Sequence, residues 1–192
     1  MFLSISPKKK SFLTDINAEL INAYIKLRDD LDKVWSTIIK FKNNKDDYYR
    51  IRNNYNKANE FEKAAMFVYL NRTSFNGIYR VNLKGEYNVP YGFKNYKALF
   101  DYDKMVNLSN KLKNSYLNKC DFELTLNNIK KGDLVYLDPP YTVSKNKESF
   151  IKYNEKLFDW KNQERLAAYI NRLNKRKVKF ILSNAYHEEV LD

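Results

Sequence analysis

The segment GDLVYLDPPYTVSKN, Gly132 to Asn146, constrains this chain more than any other stretch. Its first part, residues 133–138, is nearly all apolar, which predicts a strand buried on both faces of a parallel sheet. Pro139 and Pro140 carry no N–H and cannot extend a ladder, so that strand has to stop there. Proline also biases its predecessor toward extended geometry, which sets the Asp138 carboxylate and the nearby carbonyls into a stiff array of acceptors. Tyr141 adds a flat ring beside them. Acceptors next to a ring suit a planar base that carries an exocyclic amine. The plainer alternative is a rigid strand-terminating turn.

The rest of the chain frames this corner. Residues 11–17 read as a short strand ending at Asp15, and 17–30 as a helix capped by Asn17. Residues 31–70 read as helical throughout. Three of the four glycines then fall in residues 71–97, where apolar periodicity is lost, and this predicts a loop with a hairpin near Leu83–Tyr87. A helix over 101–114, a strand over 116–121, a short helix over 123–129, the strand over 133–138, a helix over 160–176 and a strand over 178–183 follow. The late β-α-β-α-β alternation predicts an α/β fold with a parallel sheet, interrupted early by a helical insertion.

Charge and composition narrow the function. With 35 basic and 23 acidic residues the chain carries a net charge of +12, which suits either a solvated lysine-rich surface or a polyanionic partner such as nucleic acid. A single cysteine, Cys120, excludes an internal disulfide and a multi-cysteine metal site, and a single histidine, His187, argues against zinc and against a Ser-His-Asp triad. No metal is expected. No apolar run is long enough to span a membrane, and the start MFLSISPKKK lacks a signal-peptide pattern, so the expected compartment is the cytoplasm and no membrane partner is expected.

In open parallel sheets ligands sit beyond the carboxyl ends of the strands. Asp15, Asp121 and Asp138 mark three such ends. An acid there can accept from ribose hydroxyls, although Asp15 taken alone fits a turn or helix-capping role equally well.

With these residues in view the chain resembles the Dam-type DNA adenine-N6 methyltransferases. The DPPY run, Asp138 to Tyr141, is similar to the catalytic motif of adenine-N6 and related amino methyltransferases. LNRTSFNGIYRVNLKGEYNVPYG, residues 70–92, resembles the target-recognition segment of the Dam type, and LTDINAELINAY (13–24) and KCDFELTL (119–126) resemble their counterparts in the same order. The resemblance implies a Rossmann-like methyltransferase sheet, S-adenosylmethionine as methyl donor, double-stranded DNA as partner and a flipped adenine as acceptor. It implies a catalytic domain from residues 1–30 and 115–192, and a helical target-recognition domain over 31–114 that includes the loop and hairpin of 71–97.

The resemblance also implies roles. Asp15 and the adjoining Ile16 would bind the donor's ribose, Asp121 and Phe122 would line its adenine, and Asp138 would lie near its methionine end while accepting from the target N6 amine. A carbonyl of Pro139-Pro140 would take the other N6 hydrogen and Tyr141 would stack on the flipped ring. Phe75 would enter the duplex, and Asn76, Ile78 and Arg80 would touch base edges. Arg72 and Pro90 would complete the DNA contacts, while Lys84, Lys94 and Lys97 read from their charge as phosphate contacts or equally as solvated surface charge. Without the resemblance, Arg80 reads equally as a phosphate contact and Phe75 as core. Phe93-Lys94 departs from the Arg-Tyr common in GATC-methylating relatives, so the recognition sequence stays open.

Family members carry a further N-terminal strand with a Gly-rich loop, and a closing hairpin. The sequence is therefore expected to be truncated at both ends, with MFLSIS resembling the helix after that loop and the missing segment supplied in cis or in trans. The strands ending at Asp15 and Asp138 then lack a shared neighbour. Two alternatives stand beside the methyltransferase: a catalytically inactive DNA-binding fragment of such an enzyme, and an RNA adenine methyltransferase.

Overall fold

The structure, a computed structural model, describes Phe2, Ile5 and residues 10–140 and 158–184. Tyr141, His187 and most of the opening MFLSIS segment lie outside the described residues. The chain separates into two compact units, residues 1–121 and 122–192.

The first unit begins with strand β1 (Ser11–Asp15), whose carboxyl end runs through an Asx turn into helix α1 (Ala18–Asp29). Asn17 caps α1 as expected, its side chain accepting from the Glu19 and Leu20 N–H groups. Helices α2 (Leu31–Ile38), α3 (Lys45–Asn54) and α4 (Glu60–Thr73) follow. The region 31–70 is therefore not helical throughout. Each break supplies a cap: Asn44 accepts from the Asp47 N–H, and Asn59 with Glu62 forms a reciprocal capping box. After the segment of residues 71–97 come α5 (Tyr102–Lys113) and β2 (Ser115–Lys119), which pairs in parallel with β1, Asp15 opposite Lys119. β2 stops before Asp121, so that residue lies past the strand end rather than on it.

The core of this unit lies where α1 packs on α4 and α5 and where α2 meets α4. It is unusually rich in tyrosine, and its phenols are not left without partners. Tyr48 donates to the Val89 carbonyl at 2.8 Å, Tyr87 to the Ile78 carbonyl at 2.8 Å, Tyr69 to the Lys42 carbonyl at 2.8 Å and Tyr55 to Glu19 Oε2 at 3.2 Å. A ring that fills the core while its hydroxyl satisfies a loop carbonyl achieves burial and loop anchoring at once. Burial pushes the Tyr48 phenol far above its ordinary value, so it remains a donor at any physiological pH.

The second unit holds β3 (Leu134–Leu137) and β4 (Lys179–Leu182), paired in parallel with Leu137 opposite Leu182, and helix α6 (Trp160–Lys175) between them in sequence. The short helix expected over 123–129 is a 3₁₀ segment over Phe122–Asn127. Leu137, Leu166, Tyr169, Leu173 and Val178 make its core.

Among the described residues the strands form two two-stranded parallel sheets, β1 with β2 in the first unit and β3 with β4 in the second. The expectation of two-sided burial for β3 is corrected: Leu134 and Tyr136 are 52% and 44% exposed, while Val135 and Leu137 face inward. Among the described residues the hydrophobic cluster containing α6 forms on one face only, so the alternation of a half-covered strand replaces the expected continuous burial. Phe12 and Tyr116, stacked at 4.8 Å on the first sheet, are likewise exposed. No helix among the described residues is long and apolar enough to cross a membrane.

Candidate functional site

Asp138 follows β3 directly and is exposed, Pro139 is half-buried and Pro140 exposed. The last rung of the ladder beside it is the Ser183 N–H donating to the Leu137 carbonyl at 2.9 Å. Pro139 has no N–H to donate a further rung, which is the local reason the chain leaves the sheet at this point. The Asp138 carboxylate has no hydrogen-bond or ion-pair partner among the described residues. An anionic acceptor at a strand's carboxyl end, fixed by a proline on its far side and accessible, can receive hydrogen bonds from an incoming donor without first breaking any.

Asp15 ends β1. Its Oδ1 accepts the Asn17 N–H at 2.7 Å, so the turn role is realised on one oxygen while the other is left to accept. Its negative charge, after burial, helps raise the Tyr24 phenol. Ile16 is exposed beside it. The Cys120 N–H donates to the Asp15 carbonyl at 3.1 Å, which brings the approach to Asp121 to the same end of the β1–β2 pair. Phe122 belongs to the second unit. Its half-buried ring meets Tyr169 edge-on at 5.4 Å and carries the Arg165 guanidinium at 5.1 Å from its centroid. Arg165 in turn grips Glu123 at 2.7 Å, a pair not anticipated from sequence.

The segment of residues 71–97 is built as a crossing of two strands of backbone. Ser74 and Tyr91 form an antiparallel bridge, flanked by the Phe75 N–H donating to the Pro90 carbonyl at 2.9 Å and the Gly92 N–H donating to the Thr73 carbonyl at 2.8 Å. Gly92 is required there, since a Cβ would sit 2.5 Å from the Ser74 carbonyl oxygen. At the crossing, Phe75–Gly77 makes a tight turn in which Asn76 takes a left-handed conformation, a residue type that tolerates it. Phe75 and Ile78 project to solvent, 51% and 45% exposed.

The expected hairpin is present. Val81 and Tyr87 bridge, and Asn82 closes the turn by accepting from the Lys84 and Glu86 N–H groups at 2.9 and 3.0 Å. Lys84 stands exposed near its tip. Arg80 is more constrained than a freely projecting reader: its Nε donates to Asn88 Oδ1 at 2.8 Å and Nη2 to the Asn88 carbonyl at 3.3 Å, a cross-strand clasp that fixes the guanidinium plane. The Arg72 guanidinium lies over the Tyr96 ring, 4.0 Å from its centroid. Pro90 is exposed, and Lys94 is anchored through its carbonyl by Asn43 Nδ2 at 2.7 Å. Residues 71–100 carry five basic side chains against one acidic, Glu86, so this surface favours a polyanion.

The structure therefore gathers Phe75, Asn76, Ile78, Arg80, Pro90 and Lys94 in one segment of the first unit, and sets the Asp138 corner in the second. Sequence reasoning missed the tethers of this segment, Tyr48, Tyr87, Asn43 and Asn88. Their only signal was a high tyrosine count, which does not say where a hydroxyl will reach.

The family model of the D12 class N6 adenine-specific DNA methyltransferases matches residues 1–192. The chain belongs to this family. Among D12-class and related proteins it is similar to the Type II methyltransferase M.MjaIII of Methanocaldococcus jannaschii, 36% identical over 93% of the chain and 66% of that protein. It is 33% identical to the Type II methyltransferase M1.LlaDCHI of Lactococcus lactis subsp. cremoris, over 96% of the chain and 68% of that protein. It is 30% identical to the DNA adenine methylase of Escherichia coli K12, over 93% of the chain and 65% of that protein. The D12-class chain thus spans about two thirds of the length of the curated relatives it matches.

Proposed function

We propose that this chain transfers a methyl group from S-adenosylmethionine to the N6 amine of an adenine turned out of duplex DNA. The observation that carries the reading is the Asp138-Pro139-Pro140 corner, an exposed carboxylate at the abrupt end of an apolar strand, in a D12-class chain that also holds a basic segment with exposed apolar side chains. The N6 lone pair of adenine is delocalised into the ring and is a weak nucleophile. The Asp138 carboxylate and a carbonyl of the proline pair accept both amine hydrogens. This favours a pyramidal nitrogen and frees the lone pair for in-line attack. Preorganised acceptors and placement supply the catalysis.

S-adenosylmethionine contributes an electrophilic sulfonium methyl when bound. On this reading the second oxygen of Asp15, its first being taken by the Asn17 N–H, would accept from a ribose hydroxyl, Ile16, Asp121 and Phe122 would be further contacts, and Asp138 would serve the methionine end. Tyr141 stacks on the extruded base. In the recognition region, within 31–114, Phe75 unstacks a base step, Asn76, Ile78 and Arg80 meet base edges, Arg72, Lys84 and Lys94 hold the phosphate backbone, and Pro90 is a further DNA contact. The catalytic functions fall to residues 1–30 and 115–192. The expected compartment is the cytoplasm.

A second reading is DNA binding without transfer, for which the basic segment of residues 71–100 with its exposed Phe75 and Ile78 suffices by itself. Incubating the purified chain with labelled S-adenosylmethionine and mixed-sequence duplex, then digesting to nucleosides, separates the two. The first reading expects label in N6-methyladenine, competed by duplex DNA and not by structured RNA. Salt-sensitive DNA binding with no labelled adenine would establish the second.

A further inference from the structure

Phe93 combines features that a structural residue has no use for. Its backbone is left-handed, φ 52°, a conformation that a bulky side chain without a local hydrogen bond adopts only under constraint. Its ring meets Tyr91 edge-on at 4.8 Å, yet the residue is 71% exposed, so core packing does not account for it. The constraint is visible on both sides. Gly92 is pinned by its N–H on the Thr73 carbonyl at 2.8 Å, and Lys94 by its carbonyl on Asn43 Nδ2 at 2.7 Å. Tyr91 also reaches Asn43 through its hydroxyl at 2.9 Å. A strained residue held between two anchored neighbours and turned to solvent is the pattern of a functional contact.

What Phe93 can contact follows from its chemistry and its neighbours. It belongs to the backbone crossing that presents Phe75 and Ile78, in a segment of net positive charge. Phenylalanine has no donor for guanine O6/N7 and no acceptor for cytosine N4. In the major groove the one apolar feature among base edges is the thymine 5-methyl group. Resting on the reading of duplex DNA as substrate, we propose that Phe93 is a specificity-determining residue that selects a thymine in the target duplex by contact with that methyl group.

The test enriches a randomised duplex pool on the full chain and on Phe93→Gly, and compares the enriched sequences, affinities and thermal midpoints. The unmodified chain enriches thymine at one position. Phe93→Gly loses that preference and binds the enriched duplex about ten-fold more weakly. Its thermal midpoint rises by about 2 °C, because glycine relieves the left-handed backbone. Weaker binding by a more stable protein is a result that a packing role would not give. Deoxyuridine in place of the selected thymine lowers the affinity of the unmodified chain and leaves that of Phe93→Gly unchanged. Phe93→Arg shifts the preference toward guanine. Equal enrichment by both proteins, or equal binding of thymine and uracil duplexes by the unmodified chain, would overturn the role of Phe93 and leave the DNA reading intact. A pool that the unmodified chain does not enrich at all would overturn both.

Discussion

Asp138→Ala is expected to reduce methyl transfer by about a thousand-fold while leaving duplex affinity within about two-fold, since one preorganised electrostatic contact contributes on that scale. The two halves of this expectation have separate physical origins. The carboxylate is exposed and has no described partner, so its removal leaves no buried group unsatisfied and shifts stability by no more than about 0.5 kcal/mol. The segment of residues 71–97 lies in the first unit and Asp138 in the second, so the substitution leaves unchanged every residue expected to hold the duplex backbone. What is lost is the acceptor that draws on the N6 amine. Single-turnover rates with labelled donor, alongside anisotropy with unlabelled duplex, read the two effects independently. A variant that retained turnover would remove Asp138 from the chemistry.

The second large effect is structural. Gly92→Ala would set a Cβ 2.5 Å from the Ser74 carbonyl oxygen, 2.7 Å from its carbonyl carbon and 3.0 Å from the Phe75 nitrogen, all backbone atoms that cannot rotate aside. The Ser74–Tyr91 bridge has to open to admit it, and we expect a loss of about 2–3 kcal/mol of stability in urea denaturation. Sequence-selective DNA binding should fall with it, because the same crossing sets Phe75 and Ile78 in place. Gly85→Ala is the control within the same lobe: it sits at φ +75° but a Cβ there meets nothing within 4 Å, so only the backbone term of about 1 kcal/mol remains. Equal destabilisation by the two substitutions would mean that the crossing is not as tight as described.

These contrasts bear on what could be read from the chain beforehand. Features set by local chemistry were legible. Asn17 capping α1, Asp15 closing β1 and the Asn82–Glu86 turn each depend on a side chain meeting backbone a few residues away, and such geometry follows from residue type and spacing. Features that depend on what covers a surface were not. The apolar run before Asp138 carries no record of whether both of its faces find a partner, and Leu134 and Tyr136 are exposed. The breaks at 39–44 and 55–59 were missed although Asn44 and Asn59 were available as capping signals, because strong helix-forming stretches on both sides invited one continuous reading.

At the site, the strained and accessible residues could be singled out by composition: two prolines after an acid, or asparagine and glycine in a turn. The clasp of Arg80 on Asn88 could not, because an arginine free to read a base and one tied across a hairpin look alike in sequence. The same holds for the phenols of Tyr48 and Tyr87, whose partners are main-chain carbonyls with no identity of their own. Phe93 sat in plain view as a departure from a family pattern. Only its left-handed backbone and exposure give that departure a physical meaning.

The central claim is that the Asp138-Pro139 corner holds the amine of an extruded adenine. The most direct measurement is a crystal structure of the chain with its enriched duplex and a non-reactive analogue of the methyl donor. The account predicts an adenine outside the helical stack, its N6 within about 2.6–3.2 Å of an Asp138 carboxylate oxygen and of a proline-pair carbonyl. An adenine still stacked in the duplex, or an extruded base whose amine faces residues other than Asp138, would contradict it.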